Sequence, residues 1–168
     1  FKKLLLLIAL NSNVLFGQEI IFKVSDQELT TLDRGKGLLL QFSGDSLTTI
    51  DIAIFEIKSK KALKLPAGFT FIEYRPIWLN NTLLLSEKDG GKVYAFENDS
   101  LVRKDRSDIH HWQSESSLFH RNDTIYKYGG YGYWTTSNAL TYLNPISKGW
   151  EVIGTKGLEV PKSTHLQI

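Results

Sequence analysis

The stretch of residues 123–153 constrains the fold of this chain more than any other part of the sequence. It contains three short runs rich in β-branched and aromatic residues, which are typical of β-strands. These runs are 124–128, 138–143 and 150–153. Gly129 and Gly130 end the first run, and paired glycines permit positive φ angles and a close approach of two backbones. The stretch therefore predicts an antiparallel meander with a glycine break.

The same order of strand-like runs occurs twice earlier in the chain. Leu39, Leu83 and Ile125 mark the first run of each repeat, at spacings of 44 and 42 residues. The second runs are 52–55, 93–96 and 140–143, and the third runs are 62–65, 101–104 and 150–153. The polar hairpin tips are expected at 58–61, 98–100 and 144–147. A period of 41–47 residues is typical of the blades of a β-propeller.

The order of strand, Gly pair, strand, turn and Trp-led strand resembles a kelch repeat. In this chain Tyr142 lies one position early, and Leu143 takes the position where that family has an aromatic residue. The resemblance implies an all-β, kelch-like β-propeller fragment of about three four-stranded antiparallel blades plus the start of a fourth. The blades are expected at approximately 27–66, 75–105 and 117–154. An ordinary antiparallel meander with a glycine bulge is the alternative.

Residues 1–17 predict a secretory signal peptide. Lys2 and Lys3 form a basic start, residues 4–10 form an apolar run, and Gly17 is a small residue before Gln18. The apolar run is far shorter than the roughly 20 residues that cross a bilayer, so no membrane span is expected in this segment. The protein is therefore predicted to be exported, to the periplasm, the cell surface or the medium, as a partial propeller over 18–168. A buried strand is the alternative for the apolar run.

Charge and cysteine content exclude several classes of function. Without Lys2 and Lys3, the 20 Lys and Arg residues fall to 18 and equal the 18 Asp and Glu residues. A neutral mature chain gives no support to nucleic-acid binding. The chain has no Cys, which excludes disulfides, thiolate metal sites and a cysteine nucleophile in this sequence.

Two further segments suggest that the repeats continue. Residues 20–24 form a strand-like run before the first repeat, and residues 160–165 resemble the entry of another kelch blade. Because propellers close with roughly four to eight blades, we expect this sequence to be a fragment of a longer protein. Three blades would leave two open faces, and residues 83–85 are expected to contribute exposed apolar surface there.

Few residues suggest a metal-binding, catalytic or ligand-binding site. His110, His111 and His120 are the densest group of metal-ligand types, but Ser and Glu residues around them indicate a solvated loop, so no metal site is expected. No catalytic residue and no cofactor are predicted. Aromatic residues beside the Gly-rich loop are candidates to contact a ligand, or alternatively to pack between blades. These candidates are Tyr131, Tyr133 and Trp134.

The sequence thus predicts an exported binding or interaction module whose partner is an unknown protein or glycan. The prediction is compatible with a module that forms the extracytoplasmic part of a larger surface or sensor protein. The alternative function is an exported carbohydrate-active enzyme with its site on the loops at the propeller mouth. Acidic and basic residues converging around a pocket would favour the enzyme. Broad aromatic loops without such a cluster would favour binding.

Overall fold

The computed structural model describes residues 28–107, 113–132 and 135–154, and within these ranges nearly all of the regular secondary structure is β-strand. Three four-stranded antiparallel sheets follow one another along the chain, which confirms the predicted all-β class. The first sheet consists of β1 (Glu28–Asp33), β2 (Leu38–Ser43), β3 (Ser46–Asp51) and β4 (Glu56–Ala62). The second consists of β5 (Tyr74–Leu79), β6 (Thr82–Glu87), β7 (Val93–Glu97) and β8 (Ser100–Arg103).

The third sheet contains an insertion between its second and third members. In chain order, the strands from there to the end of the described chain are β9 (Ser117–Arg121), β10 (Thr124–Tyr128), β11 (Tyr131–Gly132), β12 (Thr135–Thr136), β13 (Leu140–Leu143) and β14 (Trp150–Ile153). The sheet has the order β14-β13-β10-β9, whereas β11 and β12 pair only with each other. A 3-10 turn, Phe71–Glu73, precedes the second sheet.

The three sheets stack in chain order with their first strands side by side. Strand β5 contacts β1 on one side and β9 on the other. Each sheet is a simple meander outward from that first strand, so the arrangement is propeller-like.

Strand β6 supplies apolar side chains to both junctions between sheets. Successive side chains of a strand point to opposite faces. Leu83 and Leu85 belong to the core between the first and second sheets, and Leu84 belongs to the core between the second and third. All three are at most 9% exposed. The prediction that residues 83–85 contribute exposed apolar surface is therefore wrong, because this strand lies in the middle sheet and both of its faces are covered.

Three predicted elements of the first sheet are wrong, namely the strands at 52–55 and 62–65 and the hairpin tip at 58–61. Residues 52–55 form a turn and not a strand, with Phe55 at a φ of +54°, and residues 58–61 lie inside β4 and not at a hairpin tip. The reason is the tight turn at Gly44, where φ is +56°, because it starts β3 only three residues after β2 ends. Strand β4 therefore ends at Ala62, where the sequence indicated the start of a strand.

The predicted hairpin tips at 98–100 and 144–147 contain turns, and two further tight turns precede β6 and β10. Asn80 and Asn98 have φ values of +49° and +50°, and each is followed by a second residue with positive φ. Asn122 has a φ of +50° in the turn before β10. Asn adopts this region more readily than most residues, which explains its use between adjacent antiparallel strands.

Several predictions fall on residues outside the described ranges. These are the signal peptide, the strand-like run 20–24, His110, His111, Tyr133, Trp134 and the run 160–165. Within the ranges that the structure describes, no helix has the length and apolar character needed to cross a membrane.

Candidate functional site

The longest connections lie at one end of the sheets, which we call the loop end. It carries the loop 88–92 of the second sheet, the segment 113–116 before β9, and the segment 129–139 with its inserted hairpin. Tyr131 lies in that hairpin, opposite Thr136, and the residue is 47% exposed. Of the three aromatic candidates, Tyr131 is the one that the structure describes, and it presents an accessible ring at the loop end.

The backbone of Tyr131 is fixed to the segment before β9. Its N–H donates to the carbonyl of Ser114 at 2.8 Å, and its own carbonyl accepts from the Ser114 N–H at 3.0 Å. Gly130 makes this approach feasible, because a Cβ at that position would lie 2.7 Å from the Ser114 oxygen. Its φ of +95° also favours glycine. The predicted role of the Gly pair, a close backbone approach, is thus confirmed at Gly130.

The buried side chain of Gln113 connects the two ends of the segment 129–139 by hydrogen bonds. Only 2% of the residue is exposed. Its Nε2 donates to the carbonyls of Gly129 at 3.1 Å and Ala139 at 2.7 Å, and its Oε1 accepts from the Thr141 hydroxyl at 2.5 Å. A buried amide with donors and acceptor all used holds its partners in one arrangement. The residues on either side of the inserted hairpin are therefore held in a fixed arrangement.

A buried lysine attaches the loop 88–92 of the second sheet to the third sheet. Lys127, which is 2% exposed, donates from Nζ to the carbonyls of Glu87 at 3.0 Å and Gly90 at 2.6 Å. Burial lowers the pKa of Lys127 to about 8, although the carboxylate of Glu87 acts in the opposite direction. The indole N–H of Trp150 donates to the Gly91 carbonyl at 2.7 Å. The third sheet thus binds the backbone carbonyl at the end of β6 and two carbonyls of the loop that follows it.

Two more charged residues stabilise the loop end. The Arg75 guanidinium donates to the Ser116 carbonyl and links the second sheet to the segment before β9. Asp105, which is 5% exposed, accepts from the Val93 N–H at 2.8 Å and from the Ser107 N–H at 3.0 Å, and it pairs with Arg103. Arg75 and Asp105 thus hydrogen-bond to backbone groups of the loop end and hold these segments in position.

The sequence alone did not indicate these positioning residues. A Lys on a strand is normally solvated, and Lys127 gave no sign of burial except that it aligns with Leu85 in the preceding repeat. Gln113 sits beside His110 and His111 in a segment expected to be a solvated loop. The repeat alignment is thus the one sequence signal that could have identified Lys127.

Among the residues that the structure describes, histidine and carboxylate groups do not converge at the loop end. His120 lies on β9 with its side chain exposed and stands opposite Ile125. In the part of the chain that the structure describes, no group of three or more His, Cys, Asp or Glu residues is placed to hold a metal ion.

The opposite end of the sheets has a cleft at each junction. The first, of about 220 Å³, is bordered by Asp33, Trp78 and Asp99, and the second, of about 300 Å³, by Asn80, Lys104 and Asp123. Polar contacts cross both junctions there: Lys61 pairs with Asp99 at 2.9 Å, and the Asn80 amide donates to Asp123 at 2.8 Å. The clefts occupy equivalent places in successive repeats, which indicates a common way of packing sheet on sheet.

Comparison with known proteins adds no relative: no protein-family model matches the chain, and no curated protein matches it either.

Proposed function

We propose that this chain forms part of an exported, kelch-like β-propeller that acts as a binding or interaction module, with a protein or a glycan as its partner. The binding surface is the loop end, and Tyr131 is its central contact. Support for the kelch-like assignment is the Gly pair after β10, the Trp-led β14 and the stacking of three meanders in chain order. Support for export is the basic and apolar character of residues 1–17.

One observation carries the choice of surface. The ring of Tyr131 is exposed, yet its backbone is held by two hydrogen bonds to Ser114 and, through Gly129, by the buried amide of Gln113. An aromatic ring that is accessible and already positioned loses little conformational entropy when a partner binds. Such a ring can stack on a sugar or pack against a peptide, with its hydroxyl free to direct a hydrogen bond.

The experiment is a binding screen with the purified chain on a glycan array and on a peptide array, followed by titration of any hit. Tyr131→Ala should weaken binding by about 10-fold or more, as loss of a central aromatic contact does at many interfaces. Ile146→Ala is the control, because Ile146 is 89% exposed and lies in the turn between β13 and β14 at the other end. Equal binding by both variants would contradict the assignment of the loop end.

A further inference from the structure

The clefts at the two junctions differ in size because their linings differ. The lining of the first cleft, of about 220 Å³, includes the rings of Trp78 and Phe96. The lining of the second cleft, of about 300 Å³, includes no aromatic ring among the described residues. Trp78 stands opposite Leu83 on β6, and the equivalent residue of the third sheet, opposite Ile125, is the exposed His120. An exposed imidazole thus replaces, at the second junction, an indole that fills part of the first.

The second cleft has an apolar base and apolar sides. Ala95 and Ile125 belong to the core beneath it and are at most 2% exposed. Leu79 and Leu143 pack against the same core, remain partly exposed and line the cleft. A volume of about 300 Å³ lies at the lower end of the range for small-molecule sites, which are mostly apolar with a few polar groups. The cleft therefore suits one small ligand with an apolar group.

The charged residues that border the first cleft neutralise one another. Lys36 pairs with Asp33 at 3.3 Å, and Lys61 pairs with Asp99 at 2.9 Å. These four residues are the charged members of its described lining. The first cleft therefore offers no uncompensated charge to a ligand.

The second cleft retains one carboxylate and one ammonium group that are not neutralised. Lys104 and Glu97 pair with each other at 2.7 Å. Asp123 accepts a hydrogen bond from the neutral amide of Asn80 at 2.8 Å, and within the described ranges neither Asp123 nor Lys148 forms an ion pair. The two belong to different turns of the third sheet, Asp123 before β10 and Lys148 before β14. A ligand can therefore meet a negative group and a positive group in one cleft.

The backbone of Lys148 is held in an unusual conformation. Its φ is +61°, a region that residues with long side chains rarely adopt. Its N–H donates to the carbonyl of Asn144 at 2.9 Å, and its own carbonyl accepts from the N–H of Arg106 at 2.8 Å. Backbone outliers that the surrounding structure holds in place are concentrated at functional sites. The ammonium group of Lys148 is thus carried by a fixed turn at the border of the cleft.

We propose that the second cleft binds a free α-amino acid with an aromatic side chain. The carboxylate of the ligand pairs with Lys148 and its ammonium group pairs with Asp123, while the ring packs against Leu79 and Leu143. A zwitterion satisfies both charges of the cleft, whereas a ligand with one charge leaves one of them unpaired. The site lies at the end of the sheets opposite Tyr131 and is separate from the binding surface proposed above.

The ligand part of the test uses L-tryptophan as the probe, titrated into the full chain and followed by NMR chemical shifts. Indole-3-propionate lacks the ammonium group and tryptamine lacks the carboxylate, so each should bind at least about 10-fold more weakly. Glycyl-tryptophan tests a peptide as the occupant, because its amino group lies one residue further from the carboxylate. Tighter binding of this dipeptide than of tryptophan would overturn the assignment to a free amino acid.

The variant part of the test separates the two charges. Lys148→Met and Asp123→Asn should each weaken tryptophan binding by about 10-fold. Lys148→Met should leave tryptamine binding unchanged, and Asp123→Asn should leave that of indole-3-propionate unchanged, which a merely structural role of either residue would not predict. Lys36→Met, in the first cleft, is the matched control and should bind tryptophan as the wild type does.

A third variant tests the place of the ring. Leu143→Phe gives the third sheet the ring that Phe96 supplies in the preceding repeat, and it should abolish tryptophan binding while circular dichroism shows an intact fold. The proposal is overturned if tryptophan at about 10 mM shifts no resonance, if the three indole compounds bind equally, or if Leu143→Phe binds like the wild type. Tyr131→Ala should leave tryptophan binding unchanged, so this proposal and the proposed function fail independently.

Discussion

The ammonium group of Lys127 lies 4.7 Å from the ring centroid of Trp150, on the face of the third sheet that meets the second sheet. The same ammonium group donates to the carbonyl of Glu87 at the end of β6 and to that of Gly90 in the loop after it, and the Trp150 indole donates to the carbonyl of Gly91 in the same loop. A cation over an indole ring gains electrostatic stabilisation, more so when it is removed from water. The pair therefore attaches the second sheet to the third at a point where the preceding junction has the apolar Leu85.

The buried amine predicts how stability depends on pH. The pKa of Lys127 is lowered from 10.5 to about 8 in the folded protein, so between these values the unfolded chain binds a proton that the folded chain has released. The free energy of unfolding should therefore rise with pH in this window, by at most about 1.4 kcal/mol per pH unit from this group. Below pH 8 this contribution to the slope disappears.

Urea unfolding between pH 7 and 10.5 gives the free energy of unfolding of the wild type and of Lys127→Met. The difference between their pH slopes is the contribution of Lys127. Burial raises the pKa of Tyr74, which acts in the opposite direction above pH 10, but this contribution is common to both proteins and cancels. Lys64→Met, at an exposed position, is the matched control and should keep the wild-type slope. Parallel pH profiles for the wild type and Lys127→Met would refute the assignment.

Alanine substitutions at three glycines with positive φ can distinguish the cost of an unfavourable backbone conformation from the cost of a steric clash. Gly68 and Gly129 both have a φ of +71°, and a Cβ at either would meet nothing closer than 3.6 Å. Alanine at each should cost about 1–2 kcal/mol, the usual penalty for a left-handed residue. Gly130→Ala adds contacts of 2.7 and 2.9 Å with backbone atoms of Ser114 and Gln113, so it should cost at least about 2 kcal/mol more. Thermal unfolding of the three variants measures these losses of stability. Equal losses of stability in all three would rule out the close approach of the backbones at Gly130.

Gln113→Glu should loosen the inserted hairpin. The substitution keeps the shape of the side chain but replaces the amide donor with an oxygen, which then faces the carbonyls of Gly129 and Ala139. Each buried group left without a partner costs about 1–3 kcal/mol. We expect faster hydrogen exchange at the N–H groups of Gly129 and Ser137, which bond across the base of the hairpin, with no change in the first sheet. Unchanged exchange at both amides would show that Gln113 does not hold the loop.

The exported protein should begin at Gln18 or within a residue or two of it. Expression with export from a bacterial host, followed by N-terminal sequencing of the exported material, checks this directly. Leu6→Lys places a charge in the apolar run and should abolish export. Mature protein that retains residues 4–10 would disprove the signal peptide.

The repeat made most of the sheets predictable, because apolar runs separated by Asn and Gly turns specify antiparallel strands. The first runs of the three repeats, marked by Leu39, Leu83 and Ile125, were expected as strands and correspond to β2, β6 and β10. The wrong predictions concern residues whose structure depends on more than their local sequence. Residues 52–55 have a strand-like composition but follow a tight turn that advances the register, and the burial of Lys127 depends on carbonyls 37 and 40 residues earlier in the chain. Long-range partners of this kind leave no pattern near the residue they bury.

The alternation of Leu83, Leu84 and Leu85 has a consequence for how the repeats unfold. Because three consecutive residues of β6 face different junctions, any backbone shift that relieves a defect in one junction displaces side chains in the other. The two junctions are therefore thermodynamically coupled through a single strand, as nearest neighbours are in repeat proteins. A substitution that disrupts the packing at either junction therefore lowers the cooperativity of unfolding of all three sheets. The middle sheet transmits the effect from one outer sheet to the other.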